Sequence, residues 1–210
     1  MSWRRLLPMV ANACLLLAGC QMLGGGSAEP EVSPTDRRSA EARIDDRAVE
    51  QACAASIAER FGVRVQVTVT SFNRAVLLTG AVPDDATRAE VGKVVSETAG
   101  VRAISNELEI AGVPSRNARA FDADIAAKVA ARFRDAGKFD ATHVRVVIQT
   151  GVVYLMGIVT EKEAEDAVEL ARTTDGVRKV VKIFEYCKAT DEVCRPRPKA
   201  PAEAPAKPAS

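Results

Sequence analysis

The stretch Val144-Arg145-Val146-Val147-Ile148-Gln149-Thr150-Gly151-Val152-Val153-Tyr154-Leu155-Met156-Gly157-Ile158-Val159-Thr160-Glu161-Lys162-Glu163 decides the fold. Val144, Val146 and Ile148 alternate with their neighbours, the period of a strand with one buried face. Thr150-Gly151 suits a two-residue hairpin, and residues 152–156 resume the strand. Thr160-Glu161-Lys162-Glu163 is a capping box: the Thr160 hydroxyl takes an early helix N–H and Glu163 reaches back to the cap. A helix therefore starts there. Gly176 is read as its stop, and residues 177–186 as a last strand. Upstream, Ile125, Val129 and Phe133 recur at helical spacing. The order is α-β-β-α-β.

The same order occurs once before, and internal repeats are sought first. A helical stretch covers residues 45–61. Val63, Val65, Val67 and Val69 alternate, Asn73-Arg74 makes a turn, and Ala75-Val76-Leu77-Leu78 returns. Gly80 stands where Gly157 stands in the second copy. A second helix is read over about residues 84–99, Gly100 ends it, and residues 101–110 form the last strand. The predicted fold is α+β: two tandem units, each with helices packed on one face of a three-stranded sheet.

Gly157-Ile158-Val159-Thr160 followed by a helix and Gly176-Val177-Arg178-Lys179-Val180 resembles the BON domain. The first copy carries the matching Gly80-Ala81-Val82 and Gly100-Val101-Arg102-Ala103-Ile104. The second unit is the closer match, through Val153-Tyr154-Leu155-Met156-Gly157 and Thr160-Glu161-Lys162-Glu163-Ala164. At the chain's start, Arg4 and Arg5 precede an apolar run that closes on Leu17-Ala18-Gly19-Cys20. This layout resembles a lipoprotein signal, which implies cleavage before Cys20 and acyl chains on that residue. The apolar run is shorter than the roughly 20 residues a bilayer span needs. A lipobox followed by two BON units resembles the dual-BON outer-membrane lipoproteins of Gram-negative bacteria. That resemblance implies a non-enzymatic role in outer-membrane integrity, with BON units on phospholipid surfaces. Gln21, next to the lipid site, implies outer-membrane delivery on the periplasmic face.

These readings divide the chain into a signal peptide (1–19), a lipidated tether (20–43), BON unit 1 (44–112), a linker (113–120), BON unit 2 (121–187) and a Pro-rich disordered tail (188–210). The tether holds Gly24-Gly25-Gly26 and little apolar content, so it cannot offset its ordering entropy. Of five cysteines, Cys14 leaves with the signal and Cys20 takes lipid. Export favours disulfides. Cys53 lies on the apolar stripe Val49, Cys53, Ile57, which leaves Cys187 and Cys194 as the expected pair.

Composition excludes several functions. The formal charge is +1 and becomes slightly negative once Arg4 and Arg5 are removed, which gives no case for nucleic acid. His143 is the only histidine, so no His-based metal cluster is available. It is read as a surface residue at a strand start. Glu161, Glu163, Glu165 and Asp166 read as a solvated helix face, and no nucleophile motif is present. No enzyme activity, cofactor or metal is expected. Lipid contact, if any, is placed on the second unit, at Arg116, Arg119, Phe121, Lys128 and Arg132. Asp122 and Asp124 oppose it there, and Asp45, Asp46 and Glu50 crowd the first unit's opening helix. The alternative reading is a structural adaptor that binds other envelope proteins through the BON units and the Pro-rich tail.

Overall fold

The computed structural model describes residues 36–112 and 115–195. The signal peptide, Cys20, most of the tether and residues 196–210 of the tail lie outside the described residues.

The first repeat runs α1 (Ala40–Phe61), β1 (Gln66–Phe72), β2 (Ala75–Val82), α2 (Asp85–Ser96), β3 (Ala103–Asn106) and β4 (Glu109–Ile110). The second runs α3 (Arg116–Ala136), β5 (Val144–Gln149), β6 (Val152–Val159), α4 (Glu161–Arg172) and β7 (Lys179–Tyr186). In each, the central strand pairs antiparallel with the strand before it and parallel with the strand after the helix. This is the α+β fold expected from the sequence. The last strand of the first repeat is broken in two. Both pieces pair with β2 in one register, but the Asn106 side chain takes the Leu108 N–H and donates to the Arg88 carbonyl, and Leu108 turns into the core.

Each repeat has its own core between helices and sheet. In the first, Val49, Cys53, Ile57 and Phe61 of α1 meet Val76, Leu78 and Val82 of β2 and Val91 and Val95 of α2. In the second, Ile125, Val129 and Phe133 meet Val153, Leu155 and Val159, with Ala164, Ala167 and Ala171 of α4. The alanines let α4 approach the sheet closely. A third core lies between the two sheets: Phe72 and Leu77 of the first repeat pack with Tyr154, Met156 and Ile158 of the second and with Cys194. Both central strands are thus buried on both faces. Burial, with the carboxylates of Glu107 and Glu109 nearby, pushes the Tyr154 phenol up to about 12.

The hairpin turns show why the repeat needs an aspartate in its first helix. Asn73 and Arg74 (φ 51° and 65°), like Thr150 and Gly151 (φ 49° and 75°), all lie in the left-handed region. A β-branched threonine there is strained. In each repeat a buried carboxylate holds the turn. Asp46 accepts from the N–H groups of Asn73 (2.8 Å) and Arg74 (2.7 Å), from the Ser71 hydroxyl (2.7 Å) and from Arg38 (3.1 Å). Asp122 accepts from the N–H groups of Thr150 and Gly151, both at 2.8 Å. Each aspartate lies seven positions after the serine, Ser39 or Ser115, that N-caps its helix. Gly80 and Gly157 serve backbone approach: a Cβ on either would fall on a carbonyl of the paired strand, that of Gln66 or His143.

Several expectations change. Val63 does not begin a strand. Gly62 breaks α1 at φ 56°, the chain makes a 3-10 turn, and Val63 is fully exposed. Gly100 and Gly176 do not end the helices, which stop earlier, at Ser96 and Arg172. Tight turns follow (Thr98 N–H to Val95 and Val101 to Thr98; Thr174 to Ala171 and Val177 to Thr174), and the glycines sit inside them at φ 88° and 90°. Arg116 and Arg119 are not linker residues, because the Ser115 cap starts α3 before them. Residues 36–43 are not loose tether. Arg37 donates to Glu163 (2.6 Å) and to the Ile158 carbonyl (2.9 Å), Arg38 stacks over Phe72 (4.3 Å) and reaches Asp46, and α1 is under way by Ala40. Residues 188–195 are not disordered tail. Cys187 and Cys194 are joined as a disulfide with Cα atoms 6.2 Å apart, and Cys194 is buried. Cys53 is free and lies inside the first core.

Candidate functional site

The side chains singled out for lipid contact all lie on α3. Its buried face carries Asp122, Ile125, Val129 and Phe133, so the remaining positions face outward or toward the α4–β7 turn. The structure divides the five residues into two sets.

Lys128 and Arg132 are engaged. Lys128 pairs with Asp124 at 2.7 Å and Asp175 at 3.6 Å, and the Asp124 hydrogen bond raises its pKa. Arg132 donates to the Thr174 hydroxyl at 3.0 Å. Both side chains therefore brace the turn between α4 and β7. Phe121 approaches the same turn: its ring edge stands 3.1 Å from where a Gly176 Cβ would be, yet half of the residue is exposed. Arg116 and Arg119 are exposed and have no ion pair among the described residues. They occupy the positive end of a helix dipole, a placement that costs roughly 0.3–1 kcal/mol per cation near the first turn. The opening of α3 thus carries two exposed guanidinium groups with no ion pair among the described residues, and the half-exposed Phe121 ring lies on another side of the helix, toward Gly176.

The acids expected to repel a headgroup are mostly used elsewhere. Asp122 is the turn clamp, 8% exposed, and Asp124 holds Lys128. In the first repeat Asp46 is a clamp, Asp45 pairs with Arg74, and Glu50 accepts the Ser71 N–H (2.8 Å) and pairs with Arg145 (3.3 Å). Sequence alone read these only as acids that oppose lipid contact at the start of each unit's first helix. Their regular role in each repeat becomes visible only once the hairpin turns and α-helices are superposed on the same spacing.

A polar node missed by the sequence reading joins the N-terminal segment to the second repeat. Glu163 is half-buried; it accepts from Arg37, from the Thr160 N–H (2.8 Å), and lies 3.3 Å from His143 Nδ1. Burial alone would raise its carboxyl. The hydrogen bonds from His143, Arg37 and Thr160 overcome that and hold it well below the usual carboxylate range. His143 is therefore not a surface residue, and neither Glu163 nor Asp166 is solvated: Asp166 is largely buried under Lys138 (3.0 Å) and Lys162 (3.2 Å). The capping box at Thr160 was the available signal for Glu163, but it announced a helix start and not a partner more than a hundred residues away.

The two repeats also hold each other through their turns. Asn73 donates to Glu185, Arg102 pairs with Glu185, and Thr150 donates to Glu109 at 3.2 Å, so each turn reaches the last strand of the other repeat. Among the described residues no group of histidines, cysteines and acids is placed to hold a metal, and no helix is long and apolar enough to cross a membrane.

Two α-β-β-α-β repeats, glycine-punctuated at matching positions and packed sheet to sheet, define a tandem-repeat α+β protein. Residues 45–112 and 121–188 both match the BON domain, and the chain belongs to the BON-domain family. It is similar to outer membrane lipoprotein DolP of Haemophilus influenzae, 29% identical over 184 residues, which is 86% of this chain and 95% of that protein. It is also similar to a 21 kDa hemolysin of Actinobacillus pleuropneumoniae (27% identical; 73% of this chain, 80% of that one). Osmotically-inducible protein Y of Escherichia coli is 26% identical over 65% of this chain and 70% of its own length. The chain is a dual-BON protein of the DolP type.

Proposed function

We propose that this protein is a non-enzymatic envelope component, anchored by acyl chains on Cys20 to the periplasmic face of the outer membrane, whose second BON unit touches anionic phospholipid. The name of the Haemophilus relative supports the compartment. The observation that carries the contact surface is the exposure of Arg116 and Arg119 with no ion pair among the described residues; the half-exposed ring of Phe121 lies on the flank of the same helix that faces Gly176. Each basic side chain near an anionic surface contributes about 1 kcal/mol, and a ring at headgroup depth adds a shallow anchor. Lys128 and Arg132 contribute less, because their charges already serve Asp124, Asp175 and Thr174.

The test uses the full chain with Cys20→Ala, so that the acyl anchor does not mask weaker contacts. Vesicles of phosphatidylglycerol and phosphatidylcholine are compared with phosphatidylcholine alone. Arg116→Gln with Arg119→Gln should weaken binding to the anionic vesicles by about 2 kcal/mol, near 30-fold. Lys128→Gln with Arg132→Gln should weaken it by less than fivefold. Equal losses would return the contact to the whole α3 face. No binding to either vesicle would favour the adaptor reading, in which the BON units and the tail bind other envelope proteins.

A further inference from the structure

Among the described residues β7 is the free edge of its sheet, with β6 as its partner on one side only. Between that edge and α4 runs an open groove of about 500 Å³. Ala164, Val168 and Tyr186 form its apolar lining, and Glu161 and Glu165 stand over it. Tyr186 is 57% exposed and packs edge-on against Phe184, with ring centres 6.3 Å apart. Glu161 and Glu165 have no ion pair among the described residues, whereas Glu169, further along, is taken by Arg172. Lys182 is the single cation in the lining. The groove is therefore aromatic at one end, apolar along its floor and net acidic, a combination that suits an extended proline-rich peptide with basic residues.

We propose that this groove is a docking site for the chain's own segment Arg195-Pro196-Arg197-Pro198-Lys199-Ala200-Pro201. The segment carries three cations and no acid. Docked as a threefold extended helix, the segment would set Pro198 and Pro201 on one side, against the Tyr186 ring, and Lys199 against Glu161 and Glu165. The connection is short enough. The Cα of Cys194 lies 6.2 Å from that of Cys187, the residue after Tyr186. With consecutive Cα atoms 3.8 Å apart, Arg195 starts within about 14 Å of Tyr186. Four extended steps of about 3.1 Å carry Lys199 about 12 Å from there. The exit also lies beside the first turn of α4, because Arg37 spans from the Cys194 carbonyl (3.4 Å) to Glu163 (3.0 Å). The disulfide thus starts the segment on the inter-sheet side of β7, within reach of the groove around the end of that strand.

Zero-length carbodiimide coupling on the full chain tests this, since it joins a lysine amine only to a carboxylate in contact with it. An equal mixture of light and heavy isotope-labelled protein separates coupling within a chain from coupling between chains. The expected product is Lys199 joined to Glu161 or Glu165 within one chain. Its yield should fall at least fivefold in 1 M salt, where exposed charges are screened within about 3 Å, and at least threefold in Tyr186→Ser. Coupling of Lys199 only between chains, coupling only to carboxylates away from α4, or an unchanged yield in Tyr186→Ser would each overturn the proposal.

Discussion

Replacing Asp122 by alanine tests whether the buried carboxylate in the first helix holds the hairpin. The carboxylate accepts two backbone N–H groups at 2.8 Å, one buried and one partly buried. An unsatisfied buried donor costs about 1–3 kcal/mol. Water can reach the Thr150 amide more easily than that of Gly151, so the sum is about 3 kcal/mol. In a protein of this size that lowers the melting temperature by about 6–12 °C. Asp122→Asn keeps one acceptor and should cost about half as much. Thr150→Gly removes a left-handed threonine whose conformation costs roughly 1–2 kcal/mol, so it should recover about 1 kcal/mol in the Asp122→Ala background. Urea unfolding of the unlipidated full chain reads all three variants against the parent, with the midpoint moving and the slope unchanged. A loss below about 0.5 kcal/mol in Asp122→Ala would refute the clamp, as would a Thr150→Gly variant that worsens it.

Other outcomes follow from the same contacts. Glu163 titrates below its unfolded value, so its contribution is present above the ordinary glutamate pKa of about 4.3 and is lost as pH falls below that; Glu163→Gln should cost about 2–4 kcal/mol at neutral pH, because Arg37 is left buried and unpaired, and should flatten the acid limb of the stability profile. A variant with an unchanged acid limb would show that another carboxylate controls it. Cys20→Ala should move the protein from the membrane fraction to the soluble fraction after a high-salt wash, since two or more acyl chains give stable anchoring; full retention of the variant would remove the lipoprotein reading. Peptide mapping without reductant should recover Cys187 linked to Cys194, and Cys194→Ser should cost about 2–3 kcal/mol in the chain-entropy account. Linkage of either residue to Cys53 would contradict both the bridge and the buried site of Cys53.

The repeat order and the two-sheet α+β class were legible because periodicity is local: alternation in 144–148, helical spacing of Ile125, Val129 and Phe133, and the Thr160 capping box each announce themselves within a few residues. The packing of one sheet on the other was not read, although a signal was present. Val152–Val159 is apolar at every position except Gly157, and an uninterrupted run marks a strand buried on both faces. The candidate surface was legible only in part. Charges were counted along the chain, but whether a cation is free depends on neighbours brought in by the fold. Asp175, far from Lys128 in sequence, comes within 3.6 Å of it, and Arg37 finds Glu163 across most of the protein. Helix starts were placed late because Ser39 and Ser115 precede segments with weak apolar content, where the cap rather than the stripe sets the boundary.

The inter-sheet core has a consequence for anyone who dissects this protein. Phe72 and Leu77 on one side, and Tyr154, Met156 and Ile158 on the other, have no second surface to cover them if the chain is cut between the repeats. A single excised BON unit would present that patch to water and would seek a substitute: another copy, a detergent, or the acyl chains of the vesicle used to assay it. Lipid binding by such a fragment would report the cut surface and not the native one. The duplication is thus more than two copies of a module on a string. Each copy covers an apolar sheet face of the other, so a lipid assay belongs on the pair.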